Sequence, residues 1–290
     1  MMEGYLLILL FTACNLGESI VVKGYAKRHG SGGMLMNAVI ALFSCMFFLI
    51  TDKGDFYVPP SMLPLALISC TLYAAGFYFT FLAFRIGPYG LTRLISSFSL
   101  LFPIFYGIFF LKEETGALTY IGIAMIFTAM FLVNLKGKNA AAKEEGDISL
   151  KWLVYLLISV AANGFISILL KLQQNMFDNA CTNEFQFISI GGAFVLMAVI
   201  GIIMDRDKLG GILKRGSLYG VGAGLFNGAK NFISPFIYLY LPLSTCAPVT
   251  TGVGMVAAFI VAMLLYKEKY TPVQLIGVLL GVAAVVLLAL

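Results

Sequence analysis

Ten apolar runs dominate the chain, at approximately 4–24, 34–51, 62–84, 92–111, 117–135, 151–171, 185–204, 217–240, 244–265 and 272–290. About 20 apolar residues in helical geometry cross ~30 Å of hydrocarbon, so each run is a candidate membrane span. Only 11% of the residues are charged and 60% are hydrophobic. A soluble domain carries about 25% charged residues, so this chain cannot clothe a water-facing surface. The runs lack the two-residue alternation of barrel strands, and their Leu, Ile, Phe, Gly and Ala content favours helices. The first run has neither the short apolar core nor the small-residue cleavage site of a signal peptide and reads as a helix of the mature protein. The expected fold is an all-α membrane protein with ten transmembrane helices.

Basic residues give the helices a direction. The segments after runs 1, 3, 5, 7 and 9 hold Lys23, Lys27, Arg28, Arg85, Arg93, Lys136, Lys138, Lys143, Lys151, Arg206, Lys208, Lys214, Arg215, Lys267 and Lys269; the other side holds only Lys53, Lys112 and Lys171. The positive-inside rule places the first set in the cytoplasm, with both termini external in a plasma (inner) membrane. The net charge of +5 therefore belongs to membrane topology, and no nucleic acid partner is expected. His29 is the only histidine, and the five cysteines (Cys14, Cys45, Cys70, Cys181 and Cys246) form no CxxC pair, so no metal site or cofactor is expected. No P-loop pattern is present to suggest direct ATP drive, and no nucleophile–base spacing suggests an enzyme.

The polar linker 136–150 divides the chain into residues 4–135 and 151–290, five runs each. The halves echo one another. Lys112, Glu113, Ile121 and Gly122 recur as Lys267, Glu268, Ile276 and Gly277, and Asn15, Ser19, Ile20 and Lys23 recur as Asn163, Ser167, Ile168 and Lys171. Because each unit has an odd number of helices, the second copy enters the membrane from the opposite side. Inverted repeats of this kind support alternating access to a midplane site. The stretch Phe84-Arg-Ile-Gly-Pro-Tyr-Gly90, the Ser-rich fourth run with Pro103, Leu111-Lys-Glu-Glu and Tyr120-Ile-Gly122 resemble the EamA module of the drug/metabolite transporter superfamily. Lys267-Glu268 and Gln274-Leu-Ile-Gly277 resemble its second copy, so the resemblance covers essentially the whole chain. It implies a ten-helix, two-module carrier with a central cavity lined mainly by helices 1, 3, 4, 6, 8 and 9. Ala258 stands where the first copy has Pro103.

Two charges break the repeat. Glu18 corresponds to Ile166 and Lys230 to Ala75. Lys230 falls at the middle of its run, and Glu18 is about four residues, roughly 6 Å, beyond the middle of the first. A charge at a helix centre costs about 2.5–3.5 kcal/mol on insertion scales, and such residues face the bundle interior or water. Asn227 and Asn231 flank Lys230 as Asn15 and Ser19 flank Glu18, giving each helix a polar stripe. Two readings stand: a substrate or proton-coupling site, or a buried ion pair that only locks two helices. Further candidate substrate-binding residues are Asn163, Tyr73, Ser97 and Thr251. Pro235 can free a carbonyl towards the cavity, and Gly220, Gly222, Gly224 and Gly228 suit close helix packing. Lys23 and Lys171 fall at the ends of their runs and suit interface anchoring, as Glu113 and Glu268 suit an interfacial structural role.

The sequence thus points to a secondary transporter of a small polar or amphiphilic solute, for which a zwitterion is the simplest fit to one acid and one base. A proton-coupled exporter of organic cations using Glu18, and a non-transporting membrane scaffold, are the rivals. The partners expected are a small-molecule solute, the lipid bilayer and, for the exporter, a proton. The topology has a direct check. Ala141→Cys, in a background without the five native cysteines, should resist membrane-impermeant thiol reagents added to intact cells and react after permeabilisation; efficient labelling from outside would refute the orientation.

Overall fold

A computed structural model of the chain describes residues 2–29, 32–51, 56–86, 92, 95–134, 149–266 and 271–289. Most of the linker, Arg93, Lys267 and Glu268 lie outside the described residues. The described residues form helices and no strand. Numbered along the chain, these are α1 (Met2–His29), α2 (Gly33–Thr51), α3 (Leu63–Ile86), α4, α5 (Ala117–Asn134), α6 (Leu150–Met176), α7 (Thr182–Met204), α8 (Ser217–Tyr240), α9 (Leu243–Tyr266) and α10 (Pro272–Ala289). The fourth, α4, is assembled from three short turns, Ser97–Leu100, Leu101–Phe105 and Tyr106–Phe110. Six helices are long and apolar enough to cross a membrane, and Phe98–Phe110, Ala117–Val133 and Pro272–Leu288 are shorter apolar helices. The long helix absent from both sets is α8, which carries Lys230 and two asparagines.

The bundle is apolar outside, and its largely apolar interior also holds buried polar groups. Phe109, Phe110, Leu118, Ile203, Leu218 and Leu264 are exposed, while Ser44, Gln173, Gln174, Gln186 and Asn227 are buried. Hydrocarbon solvates the first set, and the second must find its hydrogen bonds inside the protein. α1 packs most extensively on α8, α6 on α3, α2 on both α7 and α8, α3 on α7, and α5 on α10. Smaller contacts join α1 to α9, α6 to α4 and α4 to α9. Exchanging each helix with the one five places along maps these pairs onto one another. Gly220, Gly224 and Gly228 make the α2–α8 approach: a Cβ on Gly224 would lie 2.5 Å from Phe43 Cβ, and one on Gly228 would lie 2.6 Å from Phe47 Cβ. The stripe therefore works as small-residue packing. Gly222 faces Val21 at an ordinary 3.6 Å.

Pro103 has no N–H and leaves the carbonyl four residues back without its helical donor, and α4 accordingly passes through 3₁₀, α and π turns. α9, with Ala258 at the equivalent place, stays continuous despite Pro248 near its start. Beyond α4, Lys112 takes a left-handed conformation (φ 52°) and turns Glu113 back over the bundle. The Glu113 carboxylate then accepts the backbone N–H groups of Leu243 (2.7 Å) and Ser244 (2.8 Å). These are orphan donors of the first turn of α9, which favours a negative charge. Gly107 permits this approach, since a Cβ there would lie 3.0 Å from Ser244 N. At the other end of the bundle Asp205 does the same for α2, accepting Met34 N–H at 3.0 Å while pairing with Lys208 at 2.7 Å.

Glu113 thus has the structural role expected of it, and its partner is a distant helix. Glu113→Ala should lower the stability of the purified protein by about 1–2 kcal/mol through loss of the α9 cap, and Glu113→Gln by less. Denaturant unfolding in detergent, with exposed Glu114→Ala as the unaffected control, measures it.

Candidate functional site

Glu18 on α1 and Lys230 on α8 meet in an ion pair, with Nζ 2.5 Å from Oε2 and side chains 15% and 19% exposed. Neighbouring amides complete the network. Asn227 Nδ2 donates to Glu18 Oε1 (2.9 Å), and Lys230 Nζ also donates to Asn15 Oδ1 (3.3 Å). Asn227 Oδ1 accepts from Asn231 Nδ2 (2.9 Å) and from Ser44 Oγ on α2 (3.0 Å). Asn227 is buried, and its amide has one orientation that suits all three neighbours: nitrogen to the carboxylate, oxygen to the two donors. The freed carbonyl before Pro235 belongs to Asn231. It is taken by Gln186 Nε2 from α7 (3.2 Å) and Ser234 Oγ (3.2 Å), so it is satisfied within the protein where the sequence suggested a cavity-facing role.

A cavity of about 290 Å³ lies beside this network, between α1, α4, α6, α8 and α9. Its wall carries Ser99, Asn163, Ser167, Ser234, Tyr238, Thr250 and Thr251, with Phe11, Pro103 and Cys246 among the less polar members. Phe11, Asn15 and Glu18 are spaced i, i+4, i+7 on α1, and Ser234, Lys230 and Asn227 take the same spacing backwards along α8. Since the two helices run antiparallel, the ion-pair network lies one to two turns from the cavity wall, away from the face that carries the termini.

The expected site residues divide accordingly. Glu18, Asn15, Lys230, Asn227 and Asn231 form the network. Asn163 and Thr251 line the cavity, each with a local bond: Asn163 Nδ2 donates to Ser159 O at 2.8 Å, and Thr251 Oγ1 to Ala247 O at 2.9 Å. Ser19 stands apart, donating to Asn15 O at 2.9 Å on an exposed stretch of α1. Tyr73 packs against the apolar cluster of α2, α3 and α7, and the Ser97 side chain lies outside the described residues. α3 adds no wall residue; its Gly76 stands behind Asn163, where a Cβ would lie 3.1 Å from Oδ1. Ser234 and Tyr238, at i+4 and i+8 from Lys230, were not expected, although continuing the polar stripe along α8 would have found them.

Lys171 also departs from expectation. α6 runs to Met176, so Lys171 lies more than a turn inside the helix end, half-buried, with Nζ donating to Tyr238 O at 2.9 Å. It is not an interface anchor. The extra turn is held by Gln173, whose Nε2 donates to Ala180 O (2.7 Å), and by Gln174, whose Nε2 donates to Pro235 O (2.9 Å).

A helical bundle with an apolar exterior and several membrane-length helices is the architecture of a multi-pass membrane protein. The sequence model of the EamA-like transporter family matches residues 2–135. That stretch, 134 of the 290 residues, is similar to the family. A solved structure described only as "Crystal structure of protein" is similar over 98% of both chains, with a TM-score of 0.73 and 12% sequence identity. At that identity it is a likeness of fold. None of the curated proteins matches the chain.

Removing one member of a buried pair orphans the other. Glu18→Gln and Lys230→Met should each destabilise by roughly 3–5 kcal/mol, and the double replacement by much less. Thermal unfolding in detergent gives the comparison; additive losses would mean that the pair is not coupled.

Proposed function

We propose that the protein is a secondary carrier that moves a small polar or amphiphilic metabolite across the plasma membrane by alternating access. In this reading residues 4–135 and 151–290 are inverted repeats joined by the linker 136–150, with the linker cytoplasmic and both termini external. The observation that carries the proposal is the cavity: hydroxyl and amide groups from four helices, α4, α6, α8 and α9, converge on about 290 Å³ of space inside a lipid-facing shell. That volume is near the lower end for ligand sites, which suits a metabolite of amino-acid size. Polar groups so placed can replace the hydrogen bonds that a solute loses on leaving water.

The Glu18–Lys230 network is the second element of the site. It ties α1 to α8 on the predicted cytoplasmic side of the cavity, where alternating access requires helices to part and rejoin. Since a buried ion pair adds little net stability over apolar replacement, a role in that movement is a better reason for its presence than locking. The cation exporter that uses Glu18 alone needs a free carboxylate, whereas this one is engaged by Lys230 and Asn227.

The proposal is tested in two stages. A solute panel applied to the purified protein should contain compounds that raise its melting temperature, because ligands that bind only the folded state stabilise it. The same compounds should then cross proteoliposomes containing the protein. The Glu18→Gln/Lys230→Met double variant should fold and bind but lose flux. Full flux in that variant would remove the pair from the transport mechanism, and binding without flux in the native protein would overturn the carrier.

A further inference from the structure

Lys171 carries the charge that the site leaves unmatched. Glu18 and Lys230 neutralise each other, whereas Lys171 forms no ion pair with any described residue. Glu113 is near enough to act on it electrostatically, but both Glu113 oxygens accept backbone N–H groups at the start of α9. The Lys171 ammonium has three donors, and one of them goes to the carbonyl of Tyr238. Tyr238 lines the cavity, as does Ser167 one turn below Lys171 on α6, and Cys246 on the same wall is also within electrostatic reach. A cation set into a membrane helix beside a polar cavity, with donors to spare, is an arrangement that an anion completes.

We propose that the transported solute bears a carboxylate and that Lys171 binds it at the end of the cavity nearer the termini. Asn163 and the hydroxyls of Ser167, Thr250 and Thr251 take the polar remainder of the molecule. The inference rests on the cavity being the transport site. A monoanion fits better than a phosphate ester, because one ammonium matches one charge and no arginine fork is present on the wall to share a second. The limited volume restricts the class to small hydroxy, keto or amino acids.

The test uses the full-length protein in detergent and two pairs of probes, lactate with lactamide and alanine with alaninamide. The carboxylate of each pair should raise the melting temperature and the amide should not. Lys171→Met should weaken carboxylate binding about tenfold or more, a loss of roughly 1.4 kcal/mol, while Lys171→Arg should retain most of it. Lys171→Gln keeps a donor for the Tyr238 carbonyl and serves where the Met variant folds poorly. Equal stabilisation by the amides, undiminished carboxylate binding in the Gln or Met variant, or no shift from either carboxylate would each overturn the assignment. Carboxylate binding that depends on Lys171 but produces no flux in proteoliposomes would leave the assignment standing and defeat the carrier reading instead.

Discussion

Hydrocarbon offers no hydrogen bonds, so every polar group carried into the bilayer must find its partner inside the protein. The bundle is organised by that requirement. The first N–H groups of α9 are met by Glu113 and one at the start of α2 by Asp205, each carboxylate supplied from a distant part of the chain. The carbonyl released by Pro235 is met by Gln186 and Ser234. Each connection satisfies a local need and also fixes how two helices sit against each other, so the polar groups set the geometry that the apolar packing then fills.

The two halves meet this requirement differently, and the site is the result. On the α1–α8 seam, Asn15, Glu18, Asn227 and Lys230 fill the space between the helices with an ion pair and its amides. On the corresponding α3–α6 seam the positions hold Ala75 and Gly76, and Asn163 opposite them bonds only its own helix. Asn163 and Ser167 line the cavity. The two seams therefore differ in kind: an ion pair with its amides on α1–α8, and neutral donors beside the cavity on α3–α6. Lys171 stands at the edge of that space, donating to Tyr238 O.

Ten apolar runs, two symmetry-breaking charges and a polar stripe around each could be read from the sequence because the cost of placing them in lipid is large and local. Periodicity was enough to put Asn227 and Lys230 on one face of α8. The resemblance to the EamA-like family was legible too, from Phe84-Arg-Ile-Gly-Pro-Tyr-Gly90 and Leu111-Lys-Glu-Glu, and the family model matches residues 2–135. The place of Lys171 is not legible in the sequence because the apolar run stops there while the helix continues to Met176. Gln173 and Gln174 look like loop residues until α8 and the following turn supply the carbonyls that let them be buried. Tyr73 and Ser19 were polar residues in plausible positions that the packing directed elsewhere.

What the sequence determined by itself was the class of the molecule and the identity of its costly residues, since hydropathy, helix length and burial penalties depend on residue type and spacing alone. What only the tertiary structure decided was which costly residue meets which. Glu18 could have faced a solute, and Pro235 could have opened a carbonyl to the cavity; Lys230 and Gln186 occupy them. Those partners lie 212 and 45 positions away along the chain, and no periodicity within one helix specifies a hydrogen bond made by another.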